Sequence, residues 1–370
     1  MEILPKTLGA RPRLAVEVRA EGVVAARAED AVALLTAVAR ADVAEGAIAP
    51  GLKVGNIVDK AAVTAAVRRA LDAVAGSGRE RLRDVTVVVP DSAVRVLFVD
   101  FDQLPSKAAE ALPVVRFRLK KLLPFDADDA MVSYQVMSNE KGLVKLLAVA
   151  MPKAVLEEYE ALVLAAGYLP GAVLPSTLAA LAGLDELTAP VLVVNAGTGA
   201  VTTAIVRGET LLLHRSVDMS WDMSAGPNAP AGVVSAIPLV DRDSTAQEWA
   251  QQEALGPGGW DRFEAEAAMQ TSVVETAVVR ERESRAAARE VAQAVSVAAA
   301  YFEDSLQRSP DQLLVAGTLG AESLAAMMEE SGVEGLRVRE IVDAGMMQVG
   351  AVTASVPRSW LAGVRGALRN

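Results

Sequence analysis

No cysteine occurs in the 370 residues, which excludes disulfides, thiolate zinc sites and cysteine nucleophiles and is consistent with a reducing compartment. Histidine occurs once, at His214, so His-rich metal centres are excluded and a Ser-His-Asp triad would depend on that one side chain. It falls on a predicted strand, no G-x-S-x-G elbow accompanies it, and it reads as a packed or surface residue rather than a general base. A basic excess is missing too. The formal net charge of -11, from 47 acidic and 36 basic residues, argues against a nucleic-acid groove and for basic partners. Aromatic residues make up 4% of the chain and hydrophobic residues 52%, so the cores must be built from Ala, Val and Leu on helices and buried strands, as in α/β proteins. A chain of this length calls for more than one core.

The opening MEILPKTLGARPRLAVEV lacks an apolar h-region and a small-residue cleavage site, so neither a secretory signal nor an N-terminal anchor is expected, and the cytosol is the default. Residues 161–184 carry no charge and are long enough to cross a bilayer. Gly167, Pro170, Gly171 and Pro175 divide them into a helix end, a short run YLPGAVLP and a new helix starting at Ser176, so no membrane span is expected.

Strands are predicted at 14–18, 22–27 and 31–38, followed by a helix capped by Asp59, in which Val63, Val67, Leu71 and Val74 recur at helical spacing. The GSGRE that follows, with Gly76, Ser77 and Gly78, is a linker, because it trails a helix and lacks the Lys-Ser/Thr ending of a P-loop. VTVVVP at 85–90 and VRVLFVDF at 94–101 are apolar enough to predict strands buried on both faces. Next come a helix over 106–123 kinked early by Pro113, a hairpin of 131–137 with 143–151, and a helix over 153–166, together read as a compact insert. Three strands recur from VLVVN (191–195) through TTAIVRG and ETLLLHRSVD. This repeat of the opening plan argues for two related subdomains facing a cleft. Residues 220–259 are rich in Gly, Pro, Ala and Ser and read as loop; a helix over 281–306 and the strand QLLVAG follow. RFRLKK (116–121) reads as a solvated helix face, and the tail SWLAGVRGALRN as a short amphipathic segment docked on the protein rather than on a membrane.

Three small-residue turns each follow an apolar strand: VRAEG after LAVE, AGTGA after VLVVN, and AGTLGAE after QLLV. Glycine at such turns lets a ligand approach the backbone, and exposed amides can hold phosphate. In order and spacing the turns resemble those of the actin-like ATPases, and within them the type IV pilus assembly PilM family. The resemblance implies an ATP site with magnesium formed by Glu17, Arg19, Asn195, Gly197, Thr198, Gly199, Gly317, Thr318 and Gly320, in eroded form. Glu17 keeps the acid that ends the family's first strand, but Arg19 replaces the turn glycine and Val24 the usual lysine. Asn195 replaces the acid of the second turn, and Ala316 and Thr318 flank Gly317 in the third. An amide supplies no charge to a magnesium held beside phosphates, so hydrolysis is not expected.

The insert carries the closest similarity. VTVVVPDSAVRVLFVDFDQLP, FRLKKLLPFDADDAMVSYQVM and AMPKAVLEEYEALVLAAGYLPGAVLPSTLAALAGL resemble the PilM-type subdomain and its return to the first lobe, and KVGNIVDKAAV also matches. The fold implied is an actin-like, ribonuclease H-like α/β fold of two lobes with a PilM/FtsA-type insert. Its parts fall at 1–86 (first lobe), 87–168 (insert), 169–190 (return to the first lobe) and 191–370 (second lobe). The function implied is a cytoplasmic scaffold, peripheral at the inner membrane, that works with other pilus assembly components. It would bind the N-terminal peptide of a PilN-like membrane protein in a groove lined between residues 85 and 134. Two alternatives remain: an ATP-using enzyme of the actin, DnaK-chaperone and sugar-kinase superfamily, and the cytoplasmic part of a type II secretion platform.

Overall fold

Every residue of LAVEVR (Leu14–Arg19) is buried, and this segment is β1, the middle strand of a five-stranded sheet. The computed structural model describes residues 11–76, 82–140, 142–185, 187–219, 286–331, 335–348 and 356–369. The 220–259 stretch, the beginning of the helix expected from 281, and Ser77 and Gly78 of the linker lie outside them. The described residues up to 219 and from 289 onward form one compact unit.

In the first sheet, β1 pairs antiparallel with β2 (Gly22–Ala28), which pairs antiparallel with β3 (Leu35–Asp42). On its other side β1 runs parallel to β4 (Asp84–Val89), and β4 to β8 (Leu169–Pro175). The strand expected over 31–38 begins later. Asp30 accepts the Leu34 N–H at 2.9 Å and Ala33 takes a φ of 56°, a side-chain-closed turn that leaves Val32 exposed. YLPGAVLP forms the edge strand β8, where Pro170 and Pro175 need no outer partner. No helix among the described residues is long and apolar enough to cross a membrane.

Helix α1 (Lys60–Val74) starts where Asp59 accepts the Ala62 N–H at 2.9 Å. Its buried face, Val63, Val67, Leu71 and Val74 among others, packs on β2 and β3, each such side chain contributing about 1.5–3 kcal/mol relative to exposure. Between β4 and β8 the chain makes a three-stranded antiparallel sheet in the order β5 (Arg95–Phe101), β7 (Leu143–Pro152), β6 (Ala130–Glu140). Val115 and Leu119 of α2 (Ala108–Leu119) pack with Val99, Val132, Leu146 and Ala148 on one face of this sheet. β4 is buried on both faces as expected, but β5 is not, because α2 covers one face only and Phe98 on the other is exposed. Pro113 lies inside α2. Arg116 departs from a solvated basic face: it donates to the carbonyls of Ala127 at 2.7 Å and Ala130 at 2.9 Å, tying α2 to the start of β6. Helix α3 (Lys153–Ala165) leads back to the first sheet, its fully buried Tyr159 donating to Asn56 Oδ1 at 3.2 Å.

A second five-stranded sheet repeats the first. β9 (Val191–Ala196) is flanked by the antiparallel β10 (Ala200–Arg207) and β11 (Thr210–Asp218), and on its other side by the parallel β12 (Gln312–Gly317) and β13 (Arg337–Glu340). Strand order and sense match the first sheet element for element, as the repeated strand plan predicted. Helix α4 (Ser176–Ala182) precedes β9, residues 289–306 form helix α5, and α6 (Ala321–Glu330) follows β12.

The tail is not amphipathic. Every residue of α7 (Ala362–Leu368) is buried, including Arg365, which donates to the carbonyls of Gly183 and Val32. Helix α7 packs on α4 and on β1, β2 and β4, and a Cβ at Gly366 would overlap the Ala179 carbonyl oxygen. Gly366→Ala is therefore expected to destabilise the protein by about 3 kcal/mol, measured by denaturant unfolding. Gly51→Ala, with open space around it, should be near neutral; equal effects would remove this reading of the α7 contact.

Candidate functional site

In each sheet the chain leaves the central strand towards an antiparallel hairpin on one side, while a parallel strand lies on the other. Ligand crevices in α/β folds form at the carboxyl ends of strands where the winding reverses in this way. Here the ends of β1, β4, β9 and β12 face one another across the space between the sheets. The crevice is lined by Glu17, Arg19, Glu21, Asp91, Ser176, Asn195 and the 197–200 turn, among others.

A buried polar network crosses the crevice. Pro90 ends β4, and Asp91 turns back into the protein at 7% exposure. Its carboxylate accepts the Thr177 N–H at 3.1 Å and the Thr177 hydroxyl, satisfying the first turn of α4, which has no side-chain cap of its own. From the opposite sheet, Asn195 Nδ2 donates to Ser176 Oγ and Thr177 Oγ1, each at 2.9 Å, and to Asp91 Oδ2 at 3.3 Å. The Ser176 hydroxyl donates to Glu17 Oε1 at 2.6 Å. Arg19 Nη2 lies 2.6 Å from the same oxygen but outside hydrogen-bond geometry, and Arg19 Nε has no partner. The guanidinium also faces the Trp360 ring, 5.8 Å from its centroid. Glu17 Oε2 is buried without a partner among the described residues, against the start of α7, where a side chain at Gly363 would collide with it.

Burial pushes the Glu17 carboxyl above its ordinary value of 4.5; Arg19 and the Ser176 hydroxyl oppose this, and the Asp91 charge adds to it. His214 Nε2, on β11, is buried without a partner, and burial lowers its pKa against the pull of Asp91. It is a partly buried residue of β11.

A second group of contacts joins the turns. Glu21, in the β1–β2 hairpin, accepts the Thr198 N–H and the Thr198 hydroxyl on Oε1, and Thr318 Oγ1 lies 3.4 Å from the same atom. Gly197 lacks the Cβ that would stand 3.2 Å from that oxygen. Gly317, with φ 97°, lets β12 press on β9; a Cβ there would overlap the Ala196 carbonyl and come within 2.7 Å of Asn195 Oδ1. The Thr318 N–H donates to the Ala196 carbonyl at 2.8 Å.

Of the residues singled out in the sequence, Glu17, Arg19, Asn195, Gly197, Thr198 and Gly199 line the crevice. Gly317 and Thr318 reach it through Asn195 and Glu21. Gly320 stands apart, at the N-terminus of α6 beside Glu340. Glu21, Asp91, Ser176 and Thr177 were not singled out as site residues. Glu21 was inside the quoted turn VRAEG, and Asp91 follows the strand-ending Pro90; both are acids at strand ends, the signal that would have found them.

The crevice encloses about 70 Å³. A nucleoside triphosphate with magnesium needs several times that space, so the pair does not fit the crevice as arranged.

A larger cavity of about 410 Å³ lies elsewhere, between the insert and the first sheet. Residues alternate along β6: Val132 and Tyr134 face the α2 side, whereas Met131, Ser133 and Gln135 face this groove with Leu147, Val149 and Met151 of β7. Leu156 and Glu160 of α3 and Gly171–Val173 of β8 complete it. Both β6 and β8 are edge strands, each paired on one side only among the described residues.

A structure described as a PilM–PilN type IV pilus biogenesis complex matches this chain with a TM-score of 0.66 at 16% identity, covering 97% of this chain and 99% of that one. The cytoplasmic domain of EpsL, an inner-membrane component of the type II secretion system of Vibrio cholerae, matches with a TM-score of 0.37 at 16% identity over 55% of this chain and 70% of that one. The ethanolamine utilization protein EutJ from Carboxydothermus hydrogenoformans gives 0.41 at 11% identity over 99% and 91%. No protein-family model and no curated protein matches the chain. The first match, with the paired sheets and the three-stranded insert, shows the fold: a PilM-like, actin-like two-lobed α/β protein.

Two outcomes follow from the network. Asn195→Asp, which restores an acid at that position, removes the shared donor and sets a second carboxylate against Asp91. It should lower stability by about 2 kcal/mol, more at pH 8 than at pH 5, in denaturant titrations; a stabilised variant would contradict this role. Glu17 in the folded protein retains a proton that the unfolded chain releases above 4.5, so stability should fall as pH rises through that window. Glu17→Gln should flatten the fall, and parallel pH profiles for the two proteins would disprove it.

Proposed function

We propose that this chain is a scaffold at the cytoplasmic face of a membrane that binds the N-terminal peptide of a PilN-like membrane protein in the groove between insert and first sheet, as part of type IV pilus assembly. The observation that carries the reading is the groove itself. Its volume, about 410 Å³, is in the range of ligand sites, and Met131, Leu147, Val149, Met151 and Leu156 give it an apolar lining beside the polar Ser133, Gln135 and Glu160. Two unpaired strand edges border it, so an extended peptide can add main-chain hydrogen bonds while alternate apolar side chains enter the cavity.

Met131 illustrates the fit. It is 49% exposed at the groove, apolar surface that a bound side chain would remove from water. Glu160 is the charged residue on the groove wall, and with the net charge of -11 it favours a peptide that carries basic residues next to its membrane segment. The fold shared with the protein of the PilM–PilN complex supports a partner of this kind. The reading is of binding rather than turnover, and the carboxylates that line the small crevice support it.

Calorimetric titration with a synthetic peptide spanning the cytoplasmic N-terminus of the PilN-like protein from the same organism tests the reading. Met131→Glu should weaken binding tenfold or more, about 1.4 kcal/mol. Glu160→Lys should weaken a basic peptide and leave its neutralised analogue unchanged. No binding by the unmodified protein, or full binding by Met131→Glu, would refute the assignment.

A further inference from the structure

We infer that Glu21 supplies, from within the chain, the oxyanion that the facing turns of the second lobe are built to hold, and so joins the two lobes with no nucleotide between them. The donors have the geometry of an anion site. Two come from Thr198, its backbone N–H and its hydroxyl, both to Glu21 Oε1, and the Thr318 hydroxyl after β12 lies 3.4 Å from that atom and 3.4 Å from the Ala196 carbonyl oxygen. Amides and hydroxyls converging on one oxygen from two adjacent glycine-bearing turns are the arrangement that recognises a phosphate oxygen.

The surrounding residues keep that position for an internal group. Gly197 allows the close approach, since a Cβ would sit 3.2 Å from the carboxylate oxygen. The cavity beside it measures about 70 Å³. Asp91 lines the same space, so an added phosphate would meet a further carboxylate, while the nearby Arg19 guanidinium is held against Glu17. Glu21 belongs to the first sheet's hairpin and its donors to the second sheet's turns, so the contact spans the lobes in the way a bridging ligand would. This inference is independent of the peptide groove, to which none of these residues contributes.

The full-length protein and its Glu21→Ala and Glu21→Gln variants test it by thermal unfolding in chloride, formate and inorganic phosphate at matched ionic strength, with MgATP titrated by calorimetry. The unmodified protein should show no formate- or phosphate-specific stabilisation and no MgATP heat. Glu21→Ala should melt lower in chloride and recover by several degrees in formate or phosphate as the vacated position refills; Glu21→Gln, which keeps an acceptor, should not respond to anions. MgATP or phosphate binding by the unmodified protein overturns the inference, as does a Glu21→Ala variant that folds but shows no anion-specific recovery. If Glu21→Ala does not fold, the cycle of Glu21→Gln with Thr198→Ala decides: strong coupling of their effects on stability supports the contact, and additivity overturns it.

Discussion

The amide of Asn195 is the joint on which the two halves of this molecule depend. Its Nδ2 is shared among Ser176, Thr177 and Asp91, all from the first half, while its own strand is the centre of the second sheet. A carboxylate could not donate these bonds, and an aliphatic side chain would leave Asp91 and two hydroxyls unsatisfied in a buried place. Because the network is closed through Ser176 to Glu17, and Glu17 is covered by the start of α7, the last helix of the chain is tied to the same centre. The neighbouring Glu21 contacts continue the joint to the turns after β9 and β12.

This polar centre lies at the carboxyl ends of the strands, where α/β folds place ligand crevices, and its cost is visible. Among the described residues Glu17 Oε2 and Arg19 Nε are buried with no partner, which is tolerated only because the packing around them is over-determined by the two sheets and α7. Burying the Glu17–Arg19 pair is weak evidence for stability, since desolvation offsets much of the attraction. Its value lies in register: it fixes the end of β1 against α4 and α7. The apolar groove beside the insert has the opposite character, an open cavity with exposed methionine and unpaired strand edges.

Much of the architecture could be read from residue order. The repeated strand plan gave two matching sheets because buried β-branched runs such as VTVVV and VLVVN admit few alternatives to a central parallel strand. Asp59 marked the start of α1 and the glycine-proline spacing dismantled the apparent membrane span, since both act through local backbone geometry. Locally ambiguous features went otherwise. Strand β3 starts late because the Asp30 side chain closes a turn, and β5 is exposed on one face because only one helix covers the insert.

At the crevice, residue order decided which turns would meet, because glycine after an apolar strand is a local requirement of close backbone approach. It did not decide what fills the meeting point. That Glu21 reaches Thr198 and Thr318, that Asp91 caps α4 across the sheet, and that a tail of amphipathic appearance is enclosed on every side are long-range facts. Hydrogen bonding and burial between residues far apart in the chain, 86 positions for Asp91 and Thr177 and 177 for Glu21 and Thr198, leave no periodic trace in it, so only the folded structure determines them.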